Sequence, residues 1–148
     1  MILEFFKYQA TGNDFIIIDN REMLFDKTDS ALITSLCERK FGIGADGLIL
    51  LENDNHSDFK MIYFNNDGAE STMCGNGGRC IIHFANLLDI FENNCSFNAI
   101  DGLHEGKIIE DLYSLKMKDV SKIEKFNDYF TLDTGSPHCV TVSYTHLR

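Results

Sequence analysis

One stretch gathers the residue types that chemistry uses: Met73-Cys74-Gly75-Asn76-Gly77-Gly78-Arg79-Cys80. An apolar run follows at once (Ile81, Ile82, Phe84, Ala85, Leu87, Leu88, Ile90, Phe91). That run reads as a helix, so Cys74 stands just ahead of a helix N-terminus. Unpaired backbone N–H groups and the positive end of the helix dipole favour an anion there. A thiol in that place loses its proton more readily, its pKa falling from about 8.5 into the range of roughly 3.5–7.5. The glycines let a small anionic ligand approach the backbone beside it. Four readings compete for Cys74. It is a nucleophile or base acting on a carbonyl or an acidic C–H. It is a zinc ligand with Cys80, His83, His138 or Cys139, although no Cys-x-x-Cys spacing exists. It is a redox thiol resolved by Cys80. Or it is an inert core cysteine before a glycine-rich helix start.

His138 sits beside the single proline, Pro137. It bears on the chemistry only where it can tune a thiol. Arg79, one turn into the helix, either stabilises an anion or is a surface charge. Asn13, Asn65 and Asn76 are each ordinary turn residues. Together they supply neutral donors and acceptors that hold ammonium and carboxylate groups without changing the charge of a site.

These residues must be positioned by the elements around them. Residues 2–8 alternate as a strand, Gln9 to Asp14 form a turn, and Phe15–Ile18 make a more buried strand. The pair predicts a hairpin with Asn13 and Asp14 exposed near its tip. Thr28-Asp29 reads as an N-cap, with a helix to about Lys40 and Gly42 as its C′ residue. Cys37 falls on that helix's apolar stripe and reads as a core thiol. The glycine-rich segment Phe41 to Gly47 precedes the strand Leu48–Leu51. Phosphate loops instead follow a strand and open a helix, so this one reads as a closely packed turn. Asp58–Asn65 is a strand, and Asn65-Asn66-Asp67-Gly68 is a turn. The Cys74 helix continues to about Phe91, apolar on nearly every face, and should be enclosed by other elements. Strands at Ser96–Ile100, Leu103–Ile109, Tyr113–Met117 and Tyr129–Leu132 read as an antiparallel meander, with Asp101-Gly102 as a tight turn and Ser121–Asn127 as a polar linker. The plan is α+β, strands around a central apolar helix.

The chain has 148 residues, 44% hydrophobic, with a net charge of −10. Scattered Lys and Arg offer no basic stripe, which disfavours nucleic acid. Charges interrupt the N-terminus too early for a signal peptide. No apolar run reaches the roughly 20 residues that span a membrane. An odd number of cysteines, five, without framework spacing suggests free thiols in a reducing cytosol.

Five motifs occur in order: Gly12-Asn13-Asp14-Phe15, Gly42-Ile43-Gly44-Ala45-Asp46, Phe64-Asn65-Asn66-Asp67-Gly68, Cys74 to Cys80, and Gly135-Ser136-Pro137-His138-Cys139. This series resembles the N-terminal half of diaminopimelate epimerase, from Met1 to about Val140. The resemblance implies a lobe with an antiparallel or mixed barrel-like sheet around a central helix. It implies interconversion of LL- and meso-diaminopimelate, on the route to lysine and peptidoglycan, without pyridoxal phosphate, metal or other cofactor. A cysteine from each of two lobes faces the α-carbon, one as thiolate base and one as thiol acid. Carried over, Cys74 is one of that pair. Asn13, Asn65, Gly75 and Asn76 match substrate-binding positions, and His138 matches a histidine that adjusts the cysteine pKa values. The resemblance implies a small amino-acid substrate as the partner, in a cytoplasmic enzyme able to form a homodimer when full-length, and neither nucleic acid nor membrane is expected.

Gly47 stands where many members of the family carry a glutamine, and Ser136 where many carry an asparagine. No other cysteine here precedes a glycine. The expected organisation is a first lobe over 1–120, the start of a second, truncated lobe over 121–142, and a foreign or scar tail over 143–148. Such a chain, holding one cysteine of the pair, should not epimerise alone. A proline or hydroxyproline racemase of the same fold, and a non-catalytic amino-acid-binding domain, are the competing readings.

Overall fold

A computed structural model of the chain describes residues 2–141; the tail expected over 143–148 lies outside the described residues. Contacts divide the chain between Lys116 and Met117 into two units.

The first unit opens with β1 (Phe6–Ala10) and β2 (Asn13–Asp19), paired antiparallel in a register that sets Ala10 opposite Asn13. Only Thr11 and Gly12 lie between them. Both have positive φ, +56° and +83°, the requirement of a two-residue turn that matches strand twist. The hairpin is the expected one, but its tip is Thr11-Gly12. Asn13 and Asp14 lie inside β2 and are half-buried, not exposed.

Helix α1 (Ser30–Cys37) is capped by Asp29, whose side chain accepts from the Leu32 N–H at 2.9 Å. It stops three residues short of the expected end. Glu38 leaves the helix in an extended conformation (ψ 127°), and its carboxylate accepts from the Lys40 N–H at 2.7 Å. Gly42 therefore lies in the following loop and is not the C′ residue. Next come β3 (Gly47–Glu52), β4 (Phe59–Asn65) and the short β5 (Glu70–Ser71).

Helix α2 (Gly75–Leu87) ends before the expected Phe91. Asp89 takes a left-handed conformation (φ 56°), its N–H bonds the Asn86 carbonyl at 3.0 Å, and the Ile90 N–H reaches back to Ala85 at 3.1 Å. That pattern closes a helix by satisfying its last carbonyls. Strands β6 (Asn94–Ala99), β7 (Gly102–Ile109) and β8 (Leu112–Leu115) follow as an antiparallel meander, but the fourth strand expected in it, Tyr129–Leu132, pairs in a separate sheet instead.

The strands form one sheet in the order β1-β2-β3-β4-β6-β7-β8, with β5 on β4. The sheet is mixed: β2 pairs with β3 and β4 with β6 in parallel. Each parallel pair is joined through a helix, α1 in the first case and α2 in the second, as parallel neighbours require a crossover. The two helices cover opposite faces. Ile16, Ile18, Leu48, Leu50, Ile62 and Phe64 pack with Ile33 and Cys37 of α1, while Phe15, Ile17, Ile49, Leu51, Met61 and Tyr63 pack with Ile81, Phe84 and Ala85 of α2. Strict alternation of side chains explains why β2 and β3 read as unbroken apolar runs. Enclosure of α2 is nearly complete, but Leu87 is 57% exposed. Gly77 lets α2 approach the sheet: a Cβ there would sit 3.1 Å from Ile49 Cδ1.

The second unit carries β9 (Ile123–Lys125), β10 (Tyr129–Asp133) and β11 (Pro137–Thr141) in an antiparallel sheet ordered β11-β10-β9. The segment expected as a polar linker thus contains a strand. Its alternation is short and weak, but Ile123, Glu124 and Lys125 gain partners from Leu132, Thr131 and Phe130.

Candidate active site

Cys74 is the N-cap residue of α2, in an extended conformation (φ −92°, ψ 131°). The first helical bond runs from the Gly78 N–H to the Cys74 carbonyl at 2.7 Å. The N–H groups of Gly75, Asn76 and Gly77 precede it and point out of the helix end, where the dipole is positive.

The sheet brings Asn13 to the same place. Its Oδ1 lies 3.6 Å from Cys74 Sγ and 3.3 Å from Asn76 Nδ2. The thiol donates to that oxygen, since an amide carbonyl accepts only. Asn76 in turn accepts at its Oδ1 from the Thr11 hydroxyl at 3.3 Å and from an Arg79 Nη2. Register places Asn65 at the same sheet end: Phe15 pairs with Gly47, and Gly47 with Asn65. Gly47 lacks a side chain because Tyr63 fills its space; a Cβ at 47 would sit 2.5 Å from Tyr63 Cε2. Tyr63 is buried, and burial pushes its phenol up to about 12, with Cys74 adding to the shift. His138 lies in the second unit, exposed, with its Nδ1 at 2.7 Å from the Ser136 carbonyl.

Charged residues gather outside the amides. Asn13 Nδ2 donates to Asp46 Oδ2 at 2.8 Å. Arg39 bridges Asp14 and Asp46 at 2.8 and 2.7 Å, and Lys7 reaches Asp14 at 2.7 Å. Arg39 hydrogen bonds, aided by Lys7, hold the Asp14 carboxyl well below the usual carboxylate range. The Asn13 amide, with Arg39 behind it, lowers Asp46.

The other cysteines divide by burial. Cys80 is on the buried face of α2, and burial pushes its thiol up to about 11; Cys95 is pushed up to about 12. A thiol so placed is a poor resolving partner for Cys74. His83 is engaged with Tyr8, whose hydroxyl lies 2.8 Å from its Nδ1, and with the Tyr113 ring at 4.7 Å. Among the described residues, no three His, Cys, Asp or Glu side chains are grouped to hold a metal ion. Three members of this arrangement escaped the sequence reading. Tyr63 is two residues before Asn65 and so on the same strand face, which was a usable signal. Asp46 is the one acidic residue in its glycine-rich turn. Arg39 carried no signal beyond its charge.

The mixed sheet between two helices is a fold found in solved structures. A PhzF-family phenazine biosynthesis protein from Bacillus anthracis shares it at TM-score 0.71 and 14% identity, over 94% of this chain and 55% of that one. So does a probable proline racemase from Agrobacterium radiobacter K84, at TM-score 0.61 and 12% identity, over 88% of this chain and 49% of that one. At such identities the likeness concerns the fold alone.

Sequence narrows the class. The profile of the diaminopimelate epimerase family matches residues 5–119, and the chain belongs to that family. It is 58% identical to the diaminopimelate epimerase of Flavobacterium psychrophilum over 139 residues, 93% of this chain and 54% of that protein. It is 44% identical to that of Chlorobaculum tepidum over 140 residues, 88% of this chain and 54% of that protein. The chain thus spans about half the length of the curated relatives it matches.

Proposed function

We propose that this chain supplies one half of the site at which LL-diaminopimelate is epimerised to meso-diaminopimelate, with Cys74 as one of two acid–base thiols. The observation that carries this is the placement of Cys74 Sγ beside Asn13 Oδ1, at the open N-terminus of α2. The substrate α-carboxylate sits on the N–H groups of Gly75, Asn76 and Gly77. Cys74, as thiolate, takes the α-proton: the Cα–H bond breaks as S–H forms, and the electron pair passes toward the carboxylate. The same amides steady that developing charge. A second thiol on the opposite face returns a proton and completes inversion. The step needs no cofactor. Asn13, Asn65 and Asn76 hold the polar groups around the α-carbon; the part given to His138, adjusting the thiols, rests on the family resemblance.

Two measurements test this. Calorimetric titration with LL-diaminopimelate is expected to give binding heat, with affinity reduced about tenfold or more in Asn76→Asp, where a carboxylate meets the substrate carboxylate. Absence of binding by the unaltered chain rejects the substrate. The 148-residue chain is also expected not to invert diaminopimelate by itself, because no second cysteine in it precedes a glycine. Inversion at an ordinary enzymatic rate, about 1–1,000 per second, contradicts the two-thiol account.

A further inference from the structure

An asparagine amide has a donor end and an acceptor end of nearly equal size, and its neighbours decide which way it faces. At Asn13 that decision falls to a carboxylate. Asp46 Oδ2 accepts from Asn13 Nδ2 at 2.8 Å and from the Asp14 N–H at 3.2 Å. Its Oδ1 accepts from Arg39 Nη2 at 2.7 Å. A carboxylate cannot donate, so Asn13 must turn its nitrogen to Asp46 and its oxygen to Cys74. We propose that Asp46 is a positioning residue: held by Arg39, it fixes the Asn13 amide with Oδ1 toward Cys74 and thereby governs the reactivity of that thiol.

This rests on the reading of Cys74 as the site thiol, and the surrounding contacts support it. Asp46 is itself tied down, its N–H bonding the Asp14 carbonyl at 2.9 Å and its carbonyl accepting from the Asn66 N–H at 3.1 Å. Arg39 also grips Asp14 through both Nη atoms, at 3.2 and 2.8 Å, and Lys7 completes the cluster. The opposite charge fixes the second amide. Arg79 can only donate, and it donates to Asn76 Oδ1, so Asn76 Nδ2 faces Asn13 Oδ1. One anion and one cation, each behind an asparagine, therefore polarise the amide pair in a single sense across the thiol.

Asp46→Asn is the informative change. Arg39 and Asn13 bond different oxygens of Asp46, and an amide at 46 keeps an oxygen at only one of those two positions. With its oxygen drawn to Arg39, its nitrogen faces Asn13 and turns that amide over. A donor N–H then meets Cys74 Sγ and favours the nucleophilic thiolate form. The rate of Cys74 alkylation by iodoacetamide at neutral pH, read by peptide mass spectrometry without substrate, is expected to rise about two- to tenfold, the range for one hydrogen bond. In an Asn13→Ala background the same substitution is expected to leave the rate unchanged. A rate unaltered in the native background overturns the proposal. So does an increase that survives Asn13→Ala, which would indicate lost charge or general loosening. If Asp46→Asn fails to fold, the unaltered chain decides by NMR. The Asn13 side-chain NH2 resonances are expected to move with the Asp46 carboxyl carbon as acid is added, and resonances that stay fixed overturn the proposal. Because no substrate enters either experiment, its outcome is separate from that of the diaminopimelate titration.

Discussion

Arg39 is 59% exposed at its side chain, yet it joins two carboxylates that sit 32 residues apart in the sequence. The energetic effect of such a cluster depends on pH, and the sign follows from the direction of the shifts. Arg39 and Lys7 depress Asp14, and Asn13 and Arg39 depress Asp46, relative to an unfolded value of about 3.9. A depressed carboxyl contributes stability that is fully present above that unfolded value and is lost as pH falls toward the folded one. Asp14→Asn is therefore expected to lower the urea midpoint near neutral pH, and its deficit against the unaltered chain should shrink below about pH 4. Urea titrations at pH 7 and pH 3 check this; a deficit that widens in acid contradicts it. The cluster was hidden in the sequence for a physical reason. Asn13, Asp14 and Asp46 each make good turn chemistry locally, and only the parallel pairing of β2 with β3 brings the two turns together. Cys74 was legible because glycines and an apolar run announce a helix start on their own.

Between elements, α2 does the most. It links β4 to β6, closes one core and presents Cys74 at its first turn. Phe84 anchors it, fully buried, with its ring 4.9 Å from Phe6 and 6.0 Å from Tyr8. Phe84→Ala is expected to cost about 3–5 kcal/mol by removing buried surface and leaving a cavity. Urea unfolding measures this, and a loss below about 1 kcal/mol would mean that α2 is not held by that face. Most strands were legible from alternation or from apolar runs bounded by turn residues. The ends of helices were less so. At Glu38 the chain turned extended inside a helix-compatible sequence, and at Asp89 a left-handed residue closed α2 without glycine. The parallel pairings could not be read locally either. A strand's own pattern says which face is buried, not which neighbour lies beside it or in which direction. The third strand of the small second sheet, Ile123–Lys125, is exposed throughout and so carries no burial pattern to read.

At the scale of the whole molecule, a family, a fold and one thiol come together. Family membership rests on residues 5–119, and the chain spans about half the length of its curated relatives. The activity proposed here belongs to a site of two thiols, of which this sequence carries Cys74. Its five cysteines permit a direct comparison within one sample. Cys37, Cys80 and Cys95 are buried, with their thiols pushed up by burial, whereas Cys139 is exposed and Cys74 half-buried at the helix start. The most direct test is site-resolved alkylation by iodoacetamide at neutral pH, with and without millimolar LL- or meso-diaminopimelate, using Cys139 as the internal reference. Labelling of folded protein is expected at Cys74 and Cys139 only, with diaminopimelate slowing Cys74 about tenfold and leaving Cys139 unchanged. A Cys74 rate that diaminopimelate does not alter, or that falls in parallel with Cys139, would contradict the assignment of Cys74 to the substrate site.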